Sequence, residues 1–174
     1  MDSQLVITVI ARDRPGLVEL LASLIAQHGG NWLDSRMSRL GGQFAGILRA
    51  SVPQDRRETL LSALQALGTA GIRAQIQADD TADPPPGGRE AKFSLMGTDR
   101  PGIVRQISEV FARYGVNVEE FHSECGSAPM TGEVLFHANA LVVIPPSCPV
   151  EEMKQALERI AADLMVDASL KELS

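Results

Sequence analysis

The chain has 174 residues, 44% of them apolar and 22% charged, with a formal net charge of −6. That apolar share supports a folded core, and the length suffices for one ordinary domain or two small ones. Residues 1–86 carry eight Arg against nine acidic side chains and residues 87–174 eight basic against thirteen acidic, so neither half offers the basic face that direct nucleic-acid binding demands. The opening Met1-Asp2-Ser3-Gln4-Leu5 lacks the profile of a secretory signal, and no apolar run approaches the roughly 20 residues of a membrane helix. With Cys125 and Cys148 as its only cysteines, the chain is expected to be cytoplasmic with free thiols.

Leu5-Val6-Ile7-Thr8-Val9-Ile10 is a nearly continuous apolar run rich in β-branched residues, which predicts a buried central strand. It breaks at Arg12 to Gly16. Asp13 is placed to cap the helix that follows, and Pro15 sits where a missing N–H costs nothing. Leu17, Leu20, Leu21, Leu24 and Ile25 recur at helical spacing, one stripe against a sheet. Gly29-Gly30 ends that helix. Residues 32–40 predict a second strand, Gly41-Gly42 a hairpin turn of positive φ, and Phe44 to Val52 a third strand ended by Pro53. A second helix starts at Asp55 with Leu60, Leu64 and Leu67 on one face, and Ile72, Ala74, Ile76 and Ala78 alternate as a fourth strand.

The pattern then starts again. A shift of 86 positions lays Asp13-Arg14-Pro15-Gly16 on Asp99-Arg100-Pro101-Gly102, Leu17-Val18 on Ile103-Val104, Gly29 on Gly115 and Asn31 on Asn117. A repeat of this length is two small domains rather than a solenoid. The second copy predicts a strand at Ala91 to Gly97, a helix at Pro101 to Tyr114, strands at 117–125 and Val134 to Ile144, a helix from about Val150, and a last strand around Val166, Ala168 and Leu170. Six additional residues fall around Gly126 to Gly132, where an enlarged hairpin loop is expected. The fold class is therefore α+β: two ferredoxin-like βαββαβ domains, each a four-stranded antiparallel sheet with two helices on one face. Their expected bounds are 1–80 and 91–174, joined by a Pro/Gly-rich linker at 81–90. Open edge strands make a homo-oligomer through the sheet edges the expected assembly.

Each Asp-Arg-Pro-Gly turn presents backbone N–H groups at a helix start, where an anion such as an amino-acid carboxylate is favoured. Gly16 and Gly102 carry no Cβ and permit close approach, and Asn31 and Asn117 supply hydrogen-bonding groups at the next strand. The candidate ligand-binding set is Asp13, Arg14, Pro15, Gly16, Leu17 and Asn31, with Asp99, Arg100, Pro101, Gly102, Ile103 and Asn117. The same residues also serve as helix caps and turn formers, and that structural role stands beside the functional one. Asn31→Ala is expected to abolish amino-acid binding without unfolding the chain. Arg12, Arg36, Arg39 and Arg49 are solvated charge or a patch for an acidic partner. His122, Cys125, His137 and Cys148 lack the paired close spacing of a zinc site. Cys125 with either histidine lacks an oxyanion-stabilising loop, and Glu119-Glu120 on a strand send their carboxylates to opposite faces. No metal, cofactor or catalytic residue is expected.

The segments Asp13-Arg14-Pro15-Gly16-Leu17-Val18 with Gly29-Gly30-Asn31, and Asp99-Arg100-Pro101-Gly102-Ile103-Val104 with Gly115-Val116-Asn117, resemble the ACT domain, a small regulatory module that commonly binds amino acids. Tandem ACT domains filling the chain, together with Asp34 to Phe44 and Ala128 to Phe136, resemble the family of glycine cleavage transcriptional repressors. That resemblance implies a small amino acid, glycine or similar, as effector. It also implies a transcriptional activator protein as partner, with no direct contact to nucleic acid or membrane.

Overall fold

The computed structural model describes residues 2–79, 87–128 and 132–173, and the chain divides into two units, Met1–Ala82 and Asp83–Ser174. The first consists of β1 (Asp2–Arg12), α1 (Leu17–Gln27), β2 (Asn31–Leu40), β3 (Gln43–Pro53), α2 (Arg57–Ala66) and β4 (Ile72–Ala78). In the second, β5 (Arg89–Thr98), α3 (Ile103–Arg113), β6 (Asn117–Ser127), β7 (Val134–Ile144), α4 (Val150–Leu164) and β8 (Val166–Glu172) follow in the same order. The sheets run β2-β3-β1-β4 and β6-β7-β5-β8, and every pairing is antiparallel. The ferredoxin-like expectation holds in both units. Strand β5 begins at Arg89 rather than Ala91, taking in the end of the expected linker, whose residues 81–86 lie outside the described ones. The expected enlarged loop is shorter in the structure, because β6 continues through Gly126 to Ser127; residues 129–131 lie outside the described ones.

Strand alternation decides which side chains form the cores. Leu5, Ile7, Val9 and Ala11 of β1 face the helices and are buried, as are Leu48, Ala50 and Val52 of β3. Helix α1 lays Leu17, Leu21 and Ile25 on them, with Leu20 and Leu24 partly buried at the flanks, and α2 adds Leu60 and Leu64. Full burial of each such side chain contributes about 1.5–3 kcal/mol. The second core is built alike, with Phe93 and Phe111 meeting edge to face at 5.2 Å between ring centres. The expected buried central strand is central, but only one of its faces is buried. Its other face leaves Thr8 exposed and Val6 and Ile10 half-buried beside Ile47, which is 53% exposed.

The turns explain the repeated glycines. Gly29 and Gly115 adopt φ of 69° and 68° after α1 and α3. Their N–H groups reach Ala26 and Ala112 carbonyls, while the next N–H, of Gly30 or Val116, reaches back to Ile25 or Phe111 at 2.9 Å. This is the Schellman closure, which satisfies carbonyls the helix leaves open. Gly41 and Gly42, at φ 57° and 75°, make the tight β2–β3 hairpin. Asp55 does not open α2: a 3₁₀ turn at Gln54–Arg56 intervenes, and no side chain caps the helix.

Candidate functional site

Strands β1 and β5 run out into the two Asp-Arg-Pro-Gly turns, each beside the hairpin of its own sheet. The Asp13 N–H donates to the Gly42 carbonyl at 3.0 Å, and the Asp99 N–H to the Val134 carbonyl at 2.9 Å. Gly16 and Gly102 then take φ of 87° and 93°, the left-handed region, and serve as the N-caps of α1 and α3. Their carbonyls accept the first helical bonds, from Leu20 and Gln106. This overturns the expected role of Asp13 as cap. The left-handed glycine starts the helix three residues after the aspartate, and neither helix has a side-chain cap. Pro15 and Pro101 lie in the turn before the cap rather than at the first helical position.

Freed from capping, the Asp13 carboxylate accepts from Arg39 Nε at 2.8 Å, tying the turn to β2. The position matching Arg39 in the second unit is Cys125, so that clamp belongs to the first unit alone. Arg14 reaches the other way, donating to the Ala70 carbonyl at 3.4 Å, and Arg100 approaches the Met165 sulfur at 3.9 Å. Both arginines thus span to the turn that precedes the last strand. In the first unit, Ala11 to Arg14 and Ala70 to Ile72 enclose an open cleft of about 440 Å³.

The space above the turns is free. A Cβ on Gly16 would meet nothing within 4 Å, and one on Gly102 only the Gln106 amide nitrogen at 3.7 Å. The first amides of each helix have no partner within it, and their dipoles favour a negative group. Leu17 and Ile103 are buried in the two cores and anchor the turns.

Asn31 and Asn117 stand elsewhere. Asn31 pairs with Ser51, which pairs with Gln4, whereas the turn leaves β1 after Arg12. Eight residues of strand at about 3.3 Å each put the two at opposite ends of one sheet. The second unit repeats this, with Asn117 opposite Val143 and Val143 opposite Glu90. Within one unit, therefore, the turn and the asparagine do not meet. The side chains that do surround the turns are Arg39, near Asp13, and Met165, near Arg100. Arg39 was visible in the sequence only as one of several scattered charges, and Met165 carried no signal.

The remaining candidates separate as well. Arg49 is engaged by Asp79 at 2.8 Å, Asp34 at 2.9 Å and the Gln4 amide oxygen at 3.2 Å. The hydrogen bond and charge of Asp79 raise its pKa further above the ordinary arginine value. Cys125 is exposed on β6, while Cys148 is buried 3.9 Å from the Met153 sulfur, and burial raises its thiol pKa. His122 and Cys125, three apart on one strand, face opposite sides of the sheet.

Residues 3–77 match the family described as the ACT domain, and the second unit repeats the first in strand order, helix caps and register. The first unit is thus matched to the ACT domain, and the second shares its fold. The chain is 25% identical over 167 residues to the glycine cleavage system transcriptional repressor of Escherichia coli strain K12, a match covering 95% of this chain and 88% of the repressor. It is also 26% identical over 170 residues to phosphoserine phosphatase SerB2 of Mycobacterium tuberculosis, covering 95% of this chain but 40% of the phosphatase. A crystal structure of an unknown protein from Galdieria sulphuraria superposes with a TM-score of 0.85 at 29% identity over the full length of both chains. Among the described residues no helix is long and apolar enough to cross a membrane.

Proposed function

We propose that this protein is a non-enzymatic, cytoplasmic regulator that responds to a small amino acid, glycine or a close relative. In this reading it acts on transcription of glycine cleavage genes by engaging an activator protein rather than DNA. The observation that carries the proposal is the end-to-end likeness to the E. coli repressor, which spans both units rather than one. Local geometry supports a receptor at the turns: at each one a left-handed glycine leaves the space above a helix start open, where backbone N–H groups would hold the effector carboxylate. Asp13, Arg14, Pro15 and Gly16 with the Leu17 amide form one such site, and Asp99, Arg100, Pro101 and Gly102 with the Ile103 amide the other. Asn31 and Asn117 act separately from these turns, at the far end of each sheet. Self-association through the open strand edges accompanies this role.

A thermal-shift screen of the purified chain against single amino acids tests the reading. A ligand that binds only the folded form, at 100 times its Kd, adds about 2.7 kcal/mol and a clearly raised midpoint. A selective shift with glycine or serine is the expected result; a flat screen overturns the effector assignment. Loss of that shift in Gly16→Ala or Gly102→Ala, with Asn31→Ala unaffected, assigns the site to a turn and names the occupied copy. The reverse pattern would move the site to the asparagine end. A second reading, a regulatory subunit of an amino-acid enzyme, has the likeness to SerB2 in its favour. Co-purification with an enzyme whose turnover the chain alters would support it.

A further inference from the structure

The second unit contains a feature that the turns do not use. Between α3 and the edge strand β6 lies a pocket of about 210 Å³, lined almost wholly by hydrocarbon. Its floor is Phe93, Leu95 and Phe111, each buried to within 3% of full coverage, and its outer wall is Val104, Val118 and Phe121. Val118 and Phe121 remain 40% and 46% exposed, so the mouth opens to solvent beside the strand.

Comparison of the two repeats shows how the pocket arises and what shape belongs in it. Val118 stands opposite Val142 on the helix side of its sheet, and the matching residue in the first unit is Trp32, opposite Ala50. Trp32 is partly buried and packs on the first core, as does Met37, which lies across Gly46. The second unit has Ser123 and Ala138 in place of Met37 and Gly46. Two large side chains that close the helix–strand seam in one repeat are therefore replaced by small ones in the other. Phe121, where the first unit has Ser35, covers the gap from outside.

We propose that this pocket binds a small uncharged aromatic molecule of about indole size. The first repeat supplies the precedent, since an indole side chain occupies the matching position there. Volume agrees: an apolar cavity of about 150 Å³ suffices for benzene, and this one is larger. Chemistry restricts the class, because the walls offer nothing to a charge or a zwitterion, whose desolvation would go uncompensated. The site is thus separate in place and in chemistry from the glycine turns and goes beyond the effector reading.

Indole itself, titrated into the full chain by calorimetry and thermal shift, is the probe. Saturable binding and a raised midpoint are expected, with no displacement by glycine. Val118→Trp, which fills the pocket from β6 as Trp32 does in the first repeat, is expected to weaken binding at least tenfold. Ser108→Leu on α3 narrows the mouth from the other side and serves the same purpose should the first variant not fold. Absence of binding up to the solubility limit of indole overturns the proposal. So does unchanged affinity in both variants, and so does a Val118→Trp chain altered only in self-association, which would make the rim a contact between copies.

Discussion

Gly16 and Gly102 show how one missing Cβ sets local geometry. Both need φ near 90°, where other L-residues are strained, yet a methyl group on Gly16 would touch nothing. The penalty for Gly16→Ala is therefore backbone strain alone, about 1–2 kcal/mol of stability by urea titration. A larger loss would show that the turn is packed more tightly than its open surroundings imply. Met165 is the converse case. Among the described residues it is the one non-glycine with positive φ, at 54°, and its side chain is 66% exposed. Its counterpart in the first unit is Gly71, at φ 77°. Met165→Gly is expected to raise stability by about 0.5–1 kcal/mol, since strain is relieved and little packing is lost. The sequence could not reveal this position, because a left-handed residue after a helix is legible only when glycine occupies it.

At the scale of elements, periodicity did most of the work. The stripe Leu17, Leu21 and Ile25 is buried as a 3.6-residue repeat requires, and the Ile72–Ala78 alternation is a strand. Helix starts were less legible, because a left-handed glycine N-cap has no polar side chain to announce it, and the nearby Asp13 suggested a cap it does not make. Separation within the site was hidden for another reason. A helix antiparallel to its strand returns the chain to the far end of the sheet, so Asn31 stands far from Asp13 although both flank the same helix. Strand β6 illustrates what exposure of an element does to reactivity. Cys125 faces solvent there, whereas Cys148 is enclosed before α4 with its thiol pKa raised. A thiol reagent near neutral pH should modify one equivalent of cysteine, Cys125, in the native protein and the second only after denaturation. Equal rates for the two would contradict the burial of Cys148.

For the whole molecule, the two cores share no residue: each is closed by its own sheet and helix pair. Residues 1–82 expressed alone are accordingly expected to unfold in one cooperative transition, monitored by far-ultraviolet circular dichroism. A broad, non-cooperative melt would mean that the first unit depends on the second. Duplication usually suggests two equal copies, but the Asp13–Arg39 ion pair makes the two turns unequal. An exposed pair of this kind contributes less than about 1 kcal/mol, and its effect falls on how far the turn can wander rather than on whether the unit folds. In the first unit part of that freedom is already gone. The second unit, with Cys125 in place of Arg39, retains it, so under the proposed function the entropy lost on capture there is correspondingly larger. Ionic strength then becomes a dial that acts on one turn only. In concentrated salt, where screening reaches about 3 Å, the first turn is loosened toward the second and the difference between the twins fades.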